Sequence, residues 1–153
     1  MSDYDAWMQL AIAEAREAER QGEVPVGAVV VRDGRVIGRG HNRTEALDDP
    51  SAHAEILALR AAGAENGDWR LEGTTLVVTL EPCPMCIGAI ILGRVERLVY
   101  GAGDPRYGAC GSAIELRTPE LAPHLLETVT GVREAECGEL LRAFFRRLRA
   151  RKG

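Results

Sequence analysis

The chain has no apolar stretch approaching the ~18–20 residues that a membrane span needs, so no transmembrane helix is expected. It also lacks a basic segment running into an apolar one at its start. Met1-Ser2-Asp3-Tyr4-Asp5 is acidic, which predicts no secretory leader and a cytoplasmic setting. Positive charge is not in excess: 19 Lys+Arg against 23 Asp+Glu give −4, which argues against a general nucleic-acid binder. Repeats, low-complexity tracts and linkers are missing too, so residues 1–153 read as one domain, long enough to bury a full core. Cysteine is scarce, with four in all. Cys83 and Cys86 stand at metal-binding spacing in a chain without an export signal, which disfavours a disulfide framework. Cys110 and Cys137 have no partner motif and read as small packed thiols.

What is present is ordinary globular composition, 46% apolar and 27% charged, with an uneven charge distribution. From Leu140 onward come Arg142, Arg146, Arg147, Arg149, Arg151 and Lys152 with no acidic residue. Such a stretch is either a solvated helix face or a grip for phosphates.

Hydrophobic periodicity predicts an amphipathic helix over 5–21, carried by Trp7, Leu10 and Ile12. Val24 to Val31 suits a buried strand, Asp33-Gly34 a tight turn, and Arg35 to His41 the return strand. Asp48-Asp49-Pro50-Ser51 offers helix-start chemistry before a helical run over 52–64. A strand over 74–80 follows. Pro84 fits the first turn of a helix reaching Leu92, and Gly93 ends it. Residues 97–101 predict a third buried strand, and 103–124 a functional loop with short helical pieces. Residues 126–132 read as a last strand or edge, and 133–151 as a closing helix. Helices alternating with strands predict an α/β layered domain whose mixed sheet is antiparallel at the first hairpin and parallel after it.

His53-Ala54-Glu55 and Pro82-Cys83-Pro84-Met85-Cys86 carry the chemistry. They supply one imidazole and two thiolates for zinc, with a carboxylate to spare. Structural zinc sites usually close with four protein ligands, whereas catalytic sites keep three and leave a position for water. Both segments fall at predicted helix starts, where unpaired N–H groups favour thiolate. His53 and Glu55 do not share a face of a regular helix, so the pair works only in the helix's first turn. Rival readings are a redox pair at Cys83 and Cys86, or a structural zinc completed by His41, His124, Cys110 or Cys137.

His-Ala-Glu followed by Pro-Cys-x-x-Cys resembles the cytidine deaminase-like superfamily of zinc deaminases. Glu23-Val24-Pro25-Val26-Gly27-Ala28, Asn42, Thr79-Leu80-Glu81-Pro82-Cys83, Gly101-Ala102-x-Asp104 and the Phe144-Phe145 tail are similar to the bacterial tRNA-specific adenosine deaminase family. The resemblance covers nearly the whole chain. It implies a three-layer α/β/α cytidine deaminase-like fold with a central mixed five-stranded sheet. The whole chain would then be one zinc-dependent deaminase domain, with a basic C-terminal helix from about residue 133. The implied reaction is hydrolytic deamination of adenosine to inosine at the wobble position of a tRNA anticodon, by a hydrolase acting on a cyclic amidine C–N bond. One Zn²⁺ per subunit would be held by His53, Cys83 and Cys86, with Glu55 moving protons. Asn42 would contact the purine, where without the resemblance it is equally a turn-stabilising side chain. Val26 and Pro25 would wall the base pocket, and the Ala54 backbone would add a hydrogen bond. Asp104 and Arg106 would approach the RNA, Asp104 by accepting from a 2′-OH. The partners implied are the tRNA anticodon stem-loop and a second copy in a homodimer.

The sequence departs from that family at Pro84, at Arg106-Tyr107 and at Pro123-His124. Pro-Cys-Pro-Met-Cys is also similar to bacterial guanine deaminases, so a deaminase of free guanine is one rival. The other is a non-catalytic RNA-binding subunit with structural zinc, for which Glu55 has no use.

Overall fold

The computed structural model describes residues 2–152, so Met1 and Gly153, the ends of the expected domain, lie outside the described residues. Strands β1 (Gly27–Arg32) and β2 (Arg35–His41) form the antiparallel hairpin read from the sequence. Its turn places Asp33 at φ 51° and Gly34 at φ 76°, the left-handed pair that a two-residue hairpin turn requires. Strands β3 (Thr75–Leu80), β4 (Arg97–Ala102) and β5 (Glu127–Val129) complete a sheet of order β2-β1-β3-β4-β5.

Successive side chains of these strands enter opposite layers. Ala28, Val30, Leu76, Val78, Leu98 and Tyr100 join the core beneath α3 (Ala54–Asn66) and α4 (Pro84–Leu92). Val29, Val31, Val77 and Val99 join the core beneath α1 (Ser2–Arg20) and α5 (Glu134–Lys152). A strand buried on both faces reads as one apolar run, which is why β3 was legible as Thr-Leu-Val-Val-Thr-Leu. The result is the expected three-layer α/β/α arrangement.

The antiparallel region is wider than expected. β1 pairs antiparallel with β3 as well as with β2, and only β3–β4 and β4–β5 are parallel. The cause is the crossover: α3 carries the chain from β2 over β1 to β3, so β2 and β3 run parallel with β1 between them.

Three local boundaries also differ. β1 starts at Gly27, not Val24, because the Val26 N–H turns back to the Val24 carbonyl and Pro25 has no N–H to give a ladder. α3 starts at Ala54, not Ala52, since His53 is extended (φ −80°, ψ 157°) and caps it. The stretch between β2 and α3 holds a short helix, α2 (Thr44–Leu47), that the sequence reading passed over. Residues 103–124 form turns and one isolated bridge, Cys110 to Glu115, with no helical piece among the described residues.

Glycine fixes how closely α3 lies on β2. A Cβ at Gly38 would stand 2.4 Å from the Ala58 carbonyl oxygen, and one at Gly40 2.5 Å from that of Ala54. The N-terminus of α3 is therefore set against the sheet by two positions that tolerate no side chain.

Candidate active site

Two helix starts converge. His53 caps α3, and its carbonyl accepts from the Leu57 N–H at 3.1 Å. Cys83 caps α4 in the same way, accepting from the Ile87 N–H at 2.9 Å, with Pro84 in the first turn. Both caps are extended, which turns their side chains out of the helices toward one point. Cys86 joins from the first turn of α4.

His53 Nδ1 lies 3.6 Å from Cys83 Sγ and 3.4 Å from Cys86 Sγ, and all three donor atoms lie within 4.8 Å of one another. Zinc bonds of about 2.3 Å to sulfur and about 2.0–2.1 Å to nitrogen separate tetrahedral N and S ligands by roughly 3.6 Å. The donor set and its spacing therefore fit zinc. Hydrogen bonds from Cys86 and His53 draw the Cys83 thiol down to about 4, against a burial effect in the other direction. Cys86, the donor in that pair, is pushed up, chiefly by its bond to Cys83 and then by burial. His53 is raised, first by its bond to Cys83.

Glu55 is the second residue of α3, within its first turn, and is buried. Burial pushes its carboxyl up to about 7, into the range where a group both takes and gives a proton near neutral pH. It is not in the three-donor cluster. The proposed fourth ligands lie elsewhere: Cys110 and Cys137 are buried in the two cores, and His124 is exposed. His41 places Nδ1 2.8 Å from Glu14 Oε1, and its Nε2 is buried without a hydrogen-bond partner among the described residues.

The cluster opens into a cleft of about 960 Å³. Val26, Asn42, Ala54, Asp104 and Arg106 all line it, together with Val24, Thr44 and Tyr107. Pro25 does not: it is buried at the centre of the tight turn that joins the two lining valines, Val24 and Val26. Asn42 is buried, and no hydrogen bond among the described residues takes up its side-chain amide. Asp104 is partly committed, since its Oδ1 accepts from the N–H groups of Arg106 (3.0 Å) and Tyr107 (3.2 Å). The Arg106 guanidinium lies over the Tyr107 ring at 5.1 Å. α5 closes one side with Glu134, Arg142 and Phe145.

Residues 1–102 match the family described as the cytidine and deoxycytidylate deaminase zinc-binding region, a span that contains His53, Glu55, Cys83 and Cys86. The chain belongs to this family. It is 51% identical over 152 residues to the tRNA-specific adenosine deaminase of Bacillus subtilis (strain 168), covering 99% of this chain and 94% of that one. A solved structure from work on A-to-I editing by tRNA wobble-position deaminases superposes with a TM-score of 0.82 at 47% identity, covering 89% of this chain and 99% of that one. The guanine deaminase of Nitrosomonas europaea shares the fold (TM-score 0.79) at 29% identity, covering 92% and 83%.

Two further carboxylates stand in the sequence only as flanking letters of motifs. Glu23 and Glu81 are both buried beside this cleft. The available signal was their setting, an acidic side chain at the edge of an apolar run, before Val24 in one case and after Leu80 in the other.

Proposed function

We propose that this chain is a zinc-dependent tRNA adenosine deaminase that converts adenosine to inosine at the wobble position of a tRNA anticodon, releasing ammonia. The observation that carries the proposal is the three-donor cluster with a buried, non-ligating Glu55 beside it, at the end of a cleft wide enough for a splayed-out nucleotide. Near-full-length similarity to the Bacillus subtilis enzyme supports the choice of base and of RNA.

His53, Cys83 and Cys86 hold the metal. When bound, zinc supplies Lewis acidity that brings the pKa of a coordinated water down to ~7, and so a nucleophile at neutral pH. Glu55 takes one proton from the attacking water and delivers it to purine N1 as the C6–O bond forms. It then takes the proton of the hydroxyl now on C6 and passes it to the amine as the C6–N bond breaks and the C6 carbonyl forms. Water in and ammonia out balance the conversion. The Asn42 amide donates to N7, an acceptor that pyrimidines lack. Val26 packs on the ring, with Val24 taking the place expected of Pro25. The Ala54 N–H, in the first turn of α3 and so without an intrahelical partner, is a donor for the bound base. Asp104 keeps its second carboxylate oxygen for a ribose 2′-OH, and Arg106 faces the phosphates.

The whole chain forms one such domain and works in the cytoplasm as a homodimer on the tRNA anticodon stem-loop. No helix among the described residues is long and apolar enough to cross a membrane. Support for the dimer is the uncharged outer face of α4, where Met85 is 38% and Leu92 75% exposed with Gly88 and Ala89 between them.

The test is incubation with an anticodon stem-loop carrying a wobble adenosine, with guanine and cytidine in parallel. Inosine from the stem-loop alone is expected. Ammonia from guanine alone would transfer the chain to the free-base reading that Pro84 keeps open.

A further inference from the structure

Glu23 and Glu81 are 1% and 2% exposed, yet neither reaches the three-donor cluster. A buried carboxylate is costly unless hydrogen bonds converge on it, so its partners reveal what it is there to hold. On Glu81, Oε1 accepts from the Asp104 N–H (2.9 Å) and from the Ser112 hydroxyl. Its Oε2 accepts from the N–H groups of Cys110 (2.9 Å) and Ser112 (3.2 Å). All of these donors belong to the segment 104–112. Gly108 is moulded to the same carboxylate: a Cβ there would stand 2.4 Å from Glu81 Cδ. Glu23 does the equivalent work across the cleft, accepting from the N–H groups of Glu45 (3.1 Å) and Ala46 (2.8 Å) at the start of α2.

The two gripped segments are the rims of the cleft. Thr44 lines one side, while Asp104, Arg106 and Tyr107 line the other. Each rim would otherwise be a loop free to order only on contact with substrate. Each is instead tied through its backbone to a carboxylate rooted beside a strand.

We propose that Glu23 and Glu81 are positioning residues that set the gap between the two rims, so that an RNA loop meets a cleft already shaped for it. This rests on the RNA-deaminase reading above. Glu81 borders the cleft and Glu23 lies behind it. Both act through backbone N–H groups of the rim segments, of which Asp104 lines the cleft directly and Glu45 follows the lining Thr44. A pre-shaped rim spares the ordering cost at binding, so its loss appears in KM and not in the chemical step. Glutamine cannot substitute, because whichever oxygen becomes NH₂ then faces backbone N–H donors.

The experiment measures steady-state kinetics on the wobble-adenosine stem-loop for the wild type, Glu81→Gln, Glu23→Gln and Ser112→Ala, with zinc content and melting of each. Glu81→Gln and Glu23→Gln are expected to raise KM roughly tenfold, the worth of about one charge-assisted hydrogen bond. They should leave kcat within about twofold and zinc content unchanged. Ser112→Ala removes a single hydroxyl donor from an exposed position, so it tests the clamp even if Glu81→Gln fails to fold. It should raise KM about threefold in the same direction. A KM unchanged in Ser112→Ala, or a fall in kcat at constant KM in a folded, zinc-loaded glutamine variant, overturns the proposal. A wild type that makes no inosine from the stem-loop refutes the RNA reading itself, and the clamp with it.

Discussion

At Glu55 a single side chain would decide the proposed chemistry. Glu55→Gln keeps the shape and hydrogen-bonding reach but cannot shuttle protons, so kcat should fall by about 10²–10⁴ with zinc content intact. Single-turnover assays and metal analysis check this together, and a variant that loses zinc or folding would make Glu55 structural instead. The two cysteines outside the cluster differ from Cys83, whose thiol is drawn down. Burial pushes both Cys110 and Cys137 up to about 12, so neither gains appreciable thiolate between pH 7 and 9. Iodoacetamide should leave both unmodified in the folded protein across that range and label them only after unfolding. Mass spectrometry of the tryptic peptides checks it; pH-dependent labelling of native protein would contradict the burial argument. His53, Cys83 and Cys86, which could hold a metal ion, and Glu55, the proposed base, were legible because all four fall in two short motifs. Glu23 and Glu81 were not, because their partners lie 22 to 31 residues away along the chain, and only the fold brings those N–H groups to them.

Among the elements, the position of α3 matters most, since it carries both His53 and Glu55. Gly40→Ala would place a Cβ against the Ala54 carbonyl, at a strand that cannot move without breaking its ladder to β1. The expected outcome is a loss of roughly 1–3 kcal/mol in urea unfolding, with weaker zinc retention, because the helix start must retreat from the sheet. Unchanged zinc affinity would separate the site from this packing contact. Elements defined by local chemistry were readable: the Asp33-Gly34 hairpin, and the Pro84–Leu92 helix bounded by proline and glycine. Those set by tertiary contacts were not. α2 is four residues long, and the Glu23 carboxylate caps two of its N–H groups from across the chain. The β1–β3 pairing depends on α3 crossing over β1, which periodicity does not report.

At the scale of the whole molecule, the basic C-terminal stretch divides. Arg142 and Arg146 pair with Glu139, and Arg147 pairs with Glu19, so much of its charge is used within the fold. Arg149, Arg151 and Lys152 are exposed at its end. Of the two readings open from the sequence, a solvated helix face suits Arg142, Arg146 and Arg147. The pairing with Glu19 was not legible because that residue comes from α1 on the far side of the sequence. Assembly is the other property of this scale. Leu92→Glu puts a charge on the uncharged α4 face and should convert a dimer to monomers in sedimentation velocity while leaving the fold intact. A wild-type monomer would refute the dimer, and a dimer indifferent to the change would move the interface elsewhere. The central claim joins metal, carboxylate and base in one reaction. Its most direct measurement follows inosine at each adenosine of a stem-loop incubated with protein stripped of metal by a chelator and then reloaded. No product is expected from the stripped protein, with recovery at about one zinc per chain and inosine at the wobble position alone. Inosine formed without metal, or no inosine after reloading, would contradict it.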